Sequence, residues 1–216
     1  MSRDAKAWIP LFPEDEVPFI LESVLRCSAI LRKKHDTERE DQLSNRLRWL
    51  IRRDVVFRQS GMIVDREAPV FDDSSVSENP IGRIDFRFLS ALRQTDADWH
   101  FVVEAKRLHV TFKKAGWKSL VSEYTTGPQG MMCFIDRRYA RELTEGAMLG
   151  YVFDGKTTKA RDSVSASIAA NPVKLKCVTA SRVVPSKLSL AHPDISATIH
   201  NLPHGLFTVY HLFVAV

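Results

Sequence analysis

The chain has 216 residues, of which 44% are hydrophobic and 26% charged, a composition typical of globular proteins. This length predicts one domain with a sizeable core, spanning residues 1–216. Lys and Arg (31) exceed Asp and Glu (26), which permits a polyanionic partner, whereas the lack of any apolar run of about 18 residues excludes a membrane-spanning helix.

The first half of the chain is predicted to begin with helices and continue with strands. Acidic residues favour the first turn of one helix and basic residues its last turn, and a second helix carries Leu43 and Leu47 on an apolar stripe. The predicted elements are, in order, a helix at 14–34, a helix at 38–53, an acidic loop at 65–80 and two strands at 81–89 and 99–107.

The second half is predicted to alternate helices with strands. The predicted elements are a helix at 117–126, a strand at 147–153, a helix at 158–170 and strands at 176–184 and 206–216. This order favours an α/β domain with a central mixed sheet flanked by helices.

The segment IGRIDFRFL alternates apolar and charged residues. In an unbroken strand, Ile84, Phe86 and Phe88 share one face, and Arg83, Asp85 and Arg87 share the other. The first face is expected to pack against a helix, and the second then displays a carboxylate between two guanidinium groups.

The segment WHFVVEAKRL shows the same alternation and ends in charge. Phe101, Val103 and Ala105 are expected to face the core, and Glu104 and Lys106 lie on the other face with His100 and Val102. If this strand pairs with the preceding one, Asp85 and Glu104 meet beside Lys106.

Two carboxylates about 4 Å apart repel each other by roughly 4 kcal/mol at an effective dielectric constant near 20. A divalent cation removes this repulsion, and carboxylate and carbonyl oxygens are the ligands that Mg²⁺ prefers. A neighbouring lysine can orient a water molecule and offset phosphate charge. The pattern therefore predicts metal-assisted hydrolysis of a phosphodiester.

Asp85, followed nineteen positions later by Glu104-Ala105-Lys106, resembles the signature of the PD-(D/E)XK, or restriction endonuclease-like, nuclease superfamily. Members often carry a further glutamate on the preceding helix, where Glu40 stands here. The resemblance implies Mg²⁺ or Mn²⁺ bound by Asp85, Glu104, the Ala105 carbonyl and Glu40, with Lys106 at the attacking water. It also implies a restriction endonuclease-like core at about 38–140, preceded by an N-terminal helical segment (1–37) and followed by a sheet extension with a helix (141–216).

The expected substrate is nucleic acid, with DNA favoured over RNA. A homodimer or a partner protein would supply targeting, and compact nucleases of this kind occur in prokaryotic defence, mobile-element and toxin systems. The basic residues that suit phosphate contacts are Arg83, Arg87, Arg107, Lys113 and Lys114.

Each site residue also has a structural alternative. Glu104 and Lys106 can form an exposed ion pair worth under about 1 kcal/mol, and Asp85 can pair with a neighbouring arginine. Glu40 can close a capping box with Thr37, which leaves Glu38 as a second ligand candidate. A further alternative is a nucleic-acid-binding or scaffolding module that keeps a nuclease-like fold without turnover.

The string GYVFDGKT at 150–157 matches the P-loop pattern letter for letter and offers a nucleotide site as a minor alternative. Tyr151, Val152 and Phe153 are strand formers, however, so a strand ending in a tight Asp154-Gly155 turn explains the same letters. The C-terminal histidines are expected to be structural or exposed; they are His192, His200, His204 and His211.

The remaining features concern location. The N-terminal stretch MSRDAKAWIPLFPEDE is too polar and acidic for a secretory signal. Cys27, Cys133 and Cys177 are far apart and lack metal-ligand spacing, which favours a reduced, cytoplasmic compartment.

Overall fold

The computed structural model describes residues 16–66, 68–70, 80, 82–90, 100–140, 143–178, 183–186 and 193–216. The helices in these ranges are α1 (Glu16–Ser28), α2 (Glu40–Arg53), α3 (Val55–Gln59), α4 (Val121–Thr125), α5 (Met132–Ile135) and α6 (Thr157–Ala170). The strands of the N-terminal half are β1 (Met62–Asp65), β2 (Ala68–Val70), β3 (Gly82–Ile84), β4 (Phe86–Ser90) and β5 (His100–Leu108). The remaining strands are β6 (Val110–Phe112), β7 (Gly116–Lys118), β8 (Glu145–Val152), β9 (Val184–Pro185), β10 (Ser196–Leu202) and β11 (Gly205–Ala215).

A seven-stranded mixed sheet forms the centre of the molecule, in the order β1-β4-β5-β8-β11-β10-β9. β5, β8 and β11 run parallel to one another, and the other neighbouring strands of the sheet pair antiparallel. Two small two-stranded sheets, β2-β3 and β6-β7, lie outside it. The mixed α/β architecture expected from the sequence is therefore present.

Helices cover both faces of the sheet. Residues of α1, α2 and α3 pack on one face in a core that includes Leu43, Leu47 and Phe101. Residues of α4, α5 and α6 pack on the other face in a second core that includes Val102 and Leu108. β5 is thus buried on both sides, and Glu104 and Lys106 point toward the second core. None of the described helices combines the length and hydrophobicity needed to cross a membrane.

The main helices follow their sequence patterns, but two predicted helices have wrong bounds. α1 ends at Ser28 rather than at 34, and the chain turns so that the Lys34 N–H donates to the Glu38 carboxylate (2.6 Å). The helix predicted at 117–126 begins only at Val121, because Gly116 takes a positive φ of 68° and closes the β6-β7 hairpin.

Several strands of the structure were not predicted from the sequence. The strands β1, β6, β7 and β10 were not expected, and β2 lies inside the segment predicted as an acidic loop, of which 67 and 71–79 fall outside the described residues. The strand predicted at 176–184 is largely absent from the described part of that segment, where Cys177 forms an isolated bridge with His200 and β9 starts only at Val184.

The strand predicted at 81–89 is broken at Asp85, which corrects the expected side-chain alternation. β3 pairs with β2, whereas β4 pairs with β1 and β5. Because the chain changes partners at Asp85, Ile84 packs in the second core and Phe86 in the first, instead of sharing one face.

Candidate functional site

The break at Asp85 creates a fork in the sheet. β4 pairs with β5 only up to the Phe86–Val103 pair, and β5 continues to Leu108 beside β8. We call this opening, where β5 lacks its β4 neighbour, the fork. Backbone N–H groups of β5 that point into the fork need acceptors from elsewhere, since buried N–H groups are rarely left unpaired.

Carboxylates take the place of the missing strand. Asp85 Oδ2 accepts from the Ala105 N–H (2.9 Å), and Glu40 Oε2, at the first turn of α2, accepts from the Arg107 N–H (2.9 Å). Two acidic side chains, from different elements, thus continue the hydrogen bonding of β5 along the fork.

The amine of Lys106 lies at the centre of the acidic residues. Its Nζ donates to Glu40 Oε1 (2.8 Å) and to Glu104 Oε1 (2.8 Å), and it lies 3.9 Å from Asp85 Oδ2. It also donates to the Ala105 carbonyl. The four side chains singled out from the sequence therefore converge at one point.

Ionisable groups are concentrated at this largely buried point. Glu104 is 3% and Lys106 7% exposed, and three carboxylates face one ammonium group. Burial raises the pKa of Glu40 and of Asp85, and burial together with Asp85 raises the pKa of Glu104 well above its usual range. Burial opposes the charge on Lys106, but the three carboxylates outweigh it and raise its pKa.

The alternative assignments of the acidic residues can now be compared with the geometry. The capping box between Thr37 and Glu40 is not formed; the Gln42 side chain accepts from the Arg39 N–H instead (3.1 Å), and Glu40 reaches β5. Glu38 does not join the fork; its buried carboxylate pairs with the partly exposed Arg46.

A cleft of about 550 Å³ opens at the fork. Arg83 and Arg107, both proposed from the sequence as phosphate contacts, line it, whereas Arg87 lies beside Asp65 (3.5 Å). The other two sequence candidates, Lys113 and Lys114, are exposed on the β6-β7 hairpin.

Three residues of the site were missed from the sequence. Arg39 and Arg66 also line the cleft, and the Tyr139 hydroxyl holds β3 by donating to the Arg83 carbonyl (2.8 Å) and accepting from the Arg83 N–H (3.1 Å). The position of Arg39 directly before Glu40 was an available signal. Arg66 follows an unpredicted strand, and no local pattern pointed to Tyr139.

The chemistry of the acidic residues suits a divalent cation, although the amine occupies the meeting point of their oxygens. Glu104 Oε2 is buried without a hydrogen-bond partner among the described residues, and the candidate ligand atoms near it are carboxylate and carbonyl oxygens. Within the described ranges no group of three or more His, Cys, Asp or Glu side chains is arranged to hold a metal ion. Because the Lys106 amine lies between these oxygens, a cation could bind here only if the amine moved.

The P-loop pattern does not form a phosphate-binding loop. Gly150, Tyr151 and Val152 belong to β8 and pair with β5 on one side and β11 on the other. The chain then turns through Asp154 and Gly155, whose φ is 72°, as the strand-and-turn interpretation of these letters predicted.

The described C-terminal histidines behave as expected. His200 and His211 are buried, where Thr198 Oγ1 lies 2.8 Å and 2.9 Å from their Nε2 atoms, and His204 is exposed. His192 lies outside the described residues. His100, at the opposite end of β5 from Lys106, does not join the site.

The chain was compared with protein-family models, curated proteins and solved structures. No protein-family model, curated protein or solved structure matches the chain.

Proposed function

We propose that this protein is a metal-dependent nuclease with a restriction endonuclease-like core. It hydrolyses phosphodiester bonds in nucleic acid, with DNA as the favoured substrate. The observation that carries the proposal is the convergence of Glu40, Asp85 and Glu104 on Lys106 at an open fork of the sheet. Arginines line the cleft in front of this point, and guanidinium groups bind phosphates in a planar, bidentate manner.

Asp85, Glu104, the Ala105 carbonyl and Glu40 would hold Mg²⁺ or Mn²⁺. Such an ion, when bound, activates water and neutralises charge on the phosphate. The meeting of three acidic side chains, one of them buried, supports this assignment, because neighbouring carboxylates repel one another unless a cation offsets their charge.

The protein's own groups divide the remaining work. Lys106 lines the cleft, where its amine would orient the attacking water and offset developing negative charge. Arg83 and Arg107 bind the flanking backbone, and the hydrogen bonds of Asp85 and Glu40 to β5 fix the positions of both carboxylates. A second protein or a second copy of the chain would supply targeting.

A second candidate is a nucleic-acid-binding or scaffolding module that does not turn over substrate. The observation in its favour is that Lys106 already satisfies the carboxylates, so the same geometry serves as a structural ion-pair network that closes the fork. The two candidates differ in whether the charged groups are needed for chemistry or only for stability.

A cleavage assay separates them. Plasmid, linear duplex, single-stranded DNA and RNA are incubated with the protein in Mg²⁺, in Mn²⁺ or in chelator, beside Asp85→Asn, Glu104→Gln and Lys106→Ala. The matched control is Asp162→Asn, on an exposed position of α6. Metal-dependent cutting that the three site variants abolish and the control retains supports the nuclease. Folded protein that binds without cutting favours the module, and equal cutting by all variants identifies a contaminant.

A further inference from the structure

The β6-β7 hairpin projects a basic, aromatic surface. Residues 111 and 113–118 are exposed, and they include Lys113, Lys114 and Lys118 but no acidic residue. Trp117 lies among them with 47% of its surface exposed. The hairpin therefore presents an accessible indole among three ammonium groups.

The indole of Trp117 is supported from the body of the protein. The ring of the buried His109 lies 5.3 Å from it, centroid to centroid, and His109 Nδ1 is fixed 3.0 Å from Asp154 Oδ1. Lys159, at the start of α6, places its amine 5.3 Å from the centre of the indole. Trp117 is therefore held in place while much of it remains accessible.

Two strained residues set the hairpin's position. His109 and Leu120, just before and after it, have positive φ values of 56° and 54°, and the His109 N–H donates to the Ser119 carbonyl (3.1 Å). A non-glycine residue in this conformation costs about 1 kcal/mol or more, and such strain is concentrated at functional sites.

We propose that the β6-β7 hairpin binds an unpaired nucleotide, with Trp117 stacking on the base and the lysines around it binding the backbone phosphates. An exposed cation–π contact is weak, so Lys159 can release the indole to a base and contact a phosphate instead. Every base has a flat face, so the surface accepts single strands of any sequence. Paired bases in a duplex do not offer that face.

This inference rests on the proposed function for the placement of the strand relative to the site. Lys106 and His109 are three residues apart on and just after β5, which corresponds to roughly 10 Å, or about three base steps of stacked DNA. A strand bound at the hairpin can therefore extend to the cleft. The substrate class becomes nucleic acid with an unpaired stretch close to the point of cleavage.

Binding of a labelled single-stranded oligonucleotide and of the same sequence as a blunt duplex tests the inference. Fluorescence anisotropy in chelator measures affinity without cutting. Trp117→Ala is expected to weaken single-strand binding by roughly five- to 150-fold and duplex binding by less than about twofold. Trp117→Phe, which keeps a flat aromatic ring, is expected to restore most of the affinity.

Trp49→Ala is the matched control. Trp49 is 53% exposed on α2 and has its own cation partner, Arg53, 4.2 Å from its ring, and it should be neutral for binding. Thermal unfolding of each variant confirms that the fold is kept.

The inference is overturned if Trp117→Ala binds single strands within twofold of wild type, or if its affinities for single strand and duplex fall equally. It is also overturned if the wild-type protein binds anionic vesicles or acidic proteins but no single-stranded oligonucleotide. These outcomes are separate from the fate of the nuclease proposal. If Trp117→Ala still cuts and its single-strand affinity is unchanged, only the hairpin proposal is refuted. If single-strand binding depends on Trp117 but the wild-type protein does not cut, only the nuclease proposal is refuted.

Discussion

Replacing Lys106 by methionine removes the charge and keeps a long, unbranched side chain. Each of its two 2.8 Å contacts with carboxylates corresponds to roughly 6 kcal/mol of attraction at an effective dielectric constant of about 20. Desolvation of the ammonium group and repulsion among the carboxylates offset much of that attraction. Removing one partner of a buried ion pair has a net cost of about 3–5 kcal/mol, which we expect for Lys106→Met in chelator.

The loss should be visible as a lower unfolding midpoint. For a chain of 216 residues, a decrease of 3–5 kcal/mol corresponds to roughly 6 to 20 °C. Glu104, whose pKa burial and Asp85 already raise, is expected to take up a proton in the variant and limit the loss. The double variant Lys106→Met/Glu104→Gln should therefore regain part of the stability.

The effect of Mg²⁺ on the stability of wild type and of Lys106→Met provides the decisive comparison. If the amine and the metal ion compete for the same oxygens, Mg²⁺ stabilises Lys106→Met more than wild type. At a concentration a hundredfold above the variant's dissociation constant, the variant gains about 2.7 kcal/mol. Urea unfolding followed by circular dichroism, with Mg²⁺ and with chelator, measures both effects. An unfolding free energy within 1 kcal/mol of wild type in chelator, or an equal response of both proteins to Mg²⁺, would refute this reasoning.

Three further predictions concern the surroundings of the site and the second core. Arg83→Ala, in the cleft, should weaken nucleic-acid binding for all sequences and lower the slope of log affinity against log salt by about one, as titrations at several salt concentrations will reveal. Tyr139→Phe loses the hydroxyl that holds β3 and should lower the unfolding free energy in urea by about 1–3 kcal/mol; an unchanged value would mean that β3 is fixed elsewhere. Burial and the neighbouring His200 lower the pKa of His211 to about 3, whereas the unfolded value is near 6.5, so acid favours the unfolded chain and stability falls as the pH drops below 6.5. This contribution changes by about 1.6 kcal/mol between pH 6.5 and 5, and the difference in unfolding free energy between wild type and His211→Gln over that range measures it.

Side-chain alternation predicted β5 correctly and its neighbour incorrectly. Phe101, Val103 and Ala105 face the first core as expected, because β5 is a regular strand throughout. Ile84 was assigned to the wrong face because alternation assumes an unbroken strand, and the chain breaks at Asp85 to change pairing partners. A break of this kind depends on strands distant in sequence and leaves no local pattern.

The acidic residues of the site could be predicted, but not their hydrogen-bond partners. The spacing of Asp85, Glu104 and Lys106 along two predicted strands indicated that these side chains meet if the strands pair. The N–H groups that Asp85 and Glu40 accept from belong to β5, which only the fold brings to them. The same limit applies to Trp117, since a helix was expected where the chain forms a hairpin and holds the indole against His109.

The hydrogen bonds at the fork distinguish a structural need from an excess. Pairing the Ala105 and Arg107 N–H groups requires two acceptor oxygens, which uncharged amides would supply as well as Asp85 and Glu40 do. Glu104 accepts no backbone N–H there, and with it three carboxyl groups surround the single Lys106 amine. Closing the sheet does not require this third carboxyl group, whereas the proposed divalent cation would use it as a ligand. Asp85→Asn should therefore keep the fold nearly intact and still abolish metal-dependent cutting.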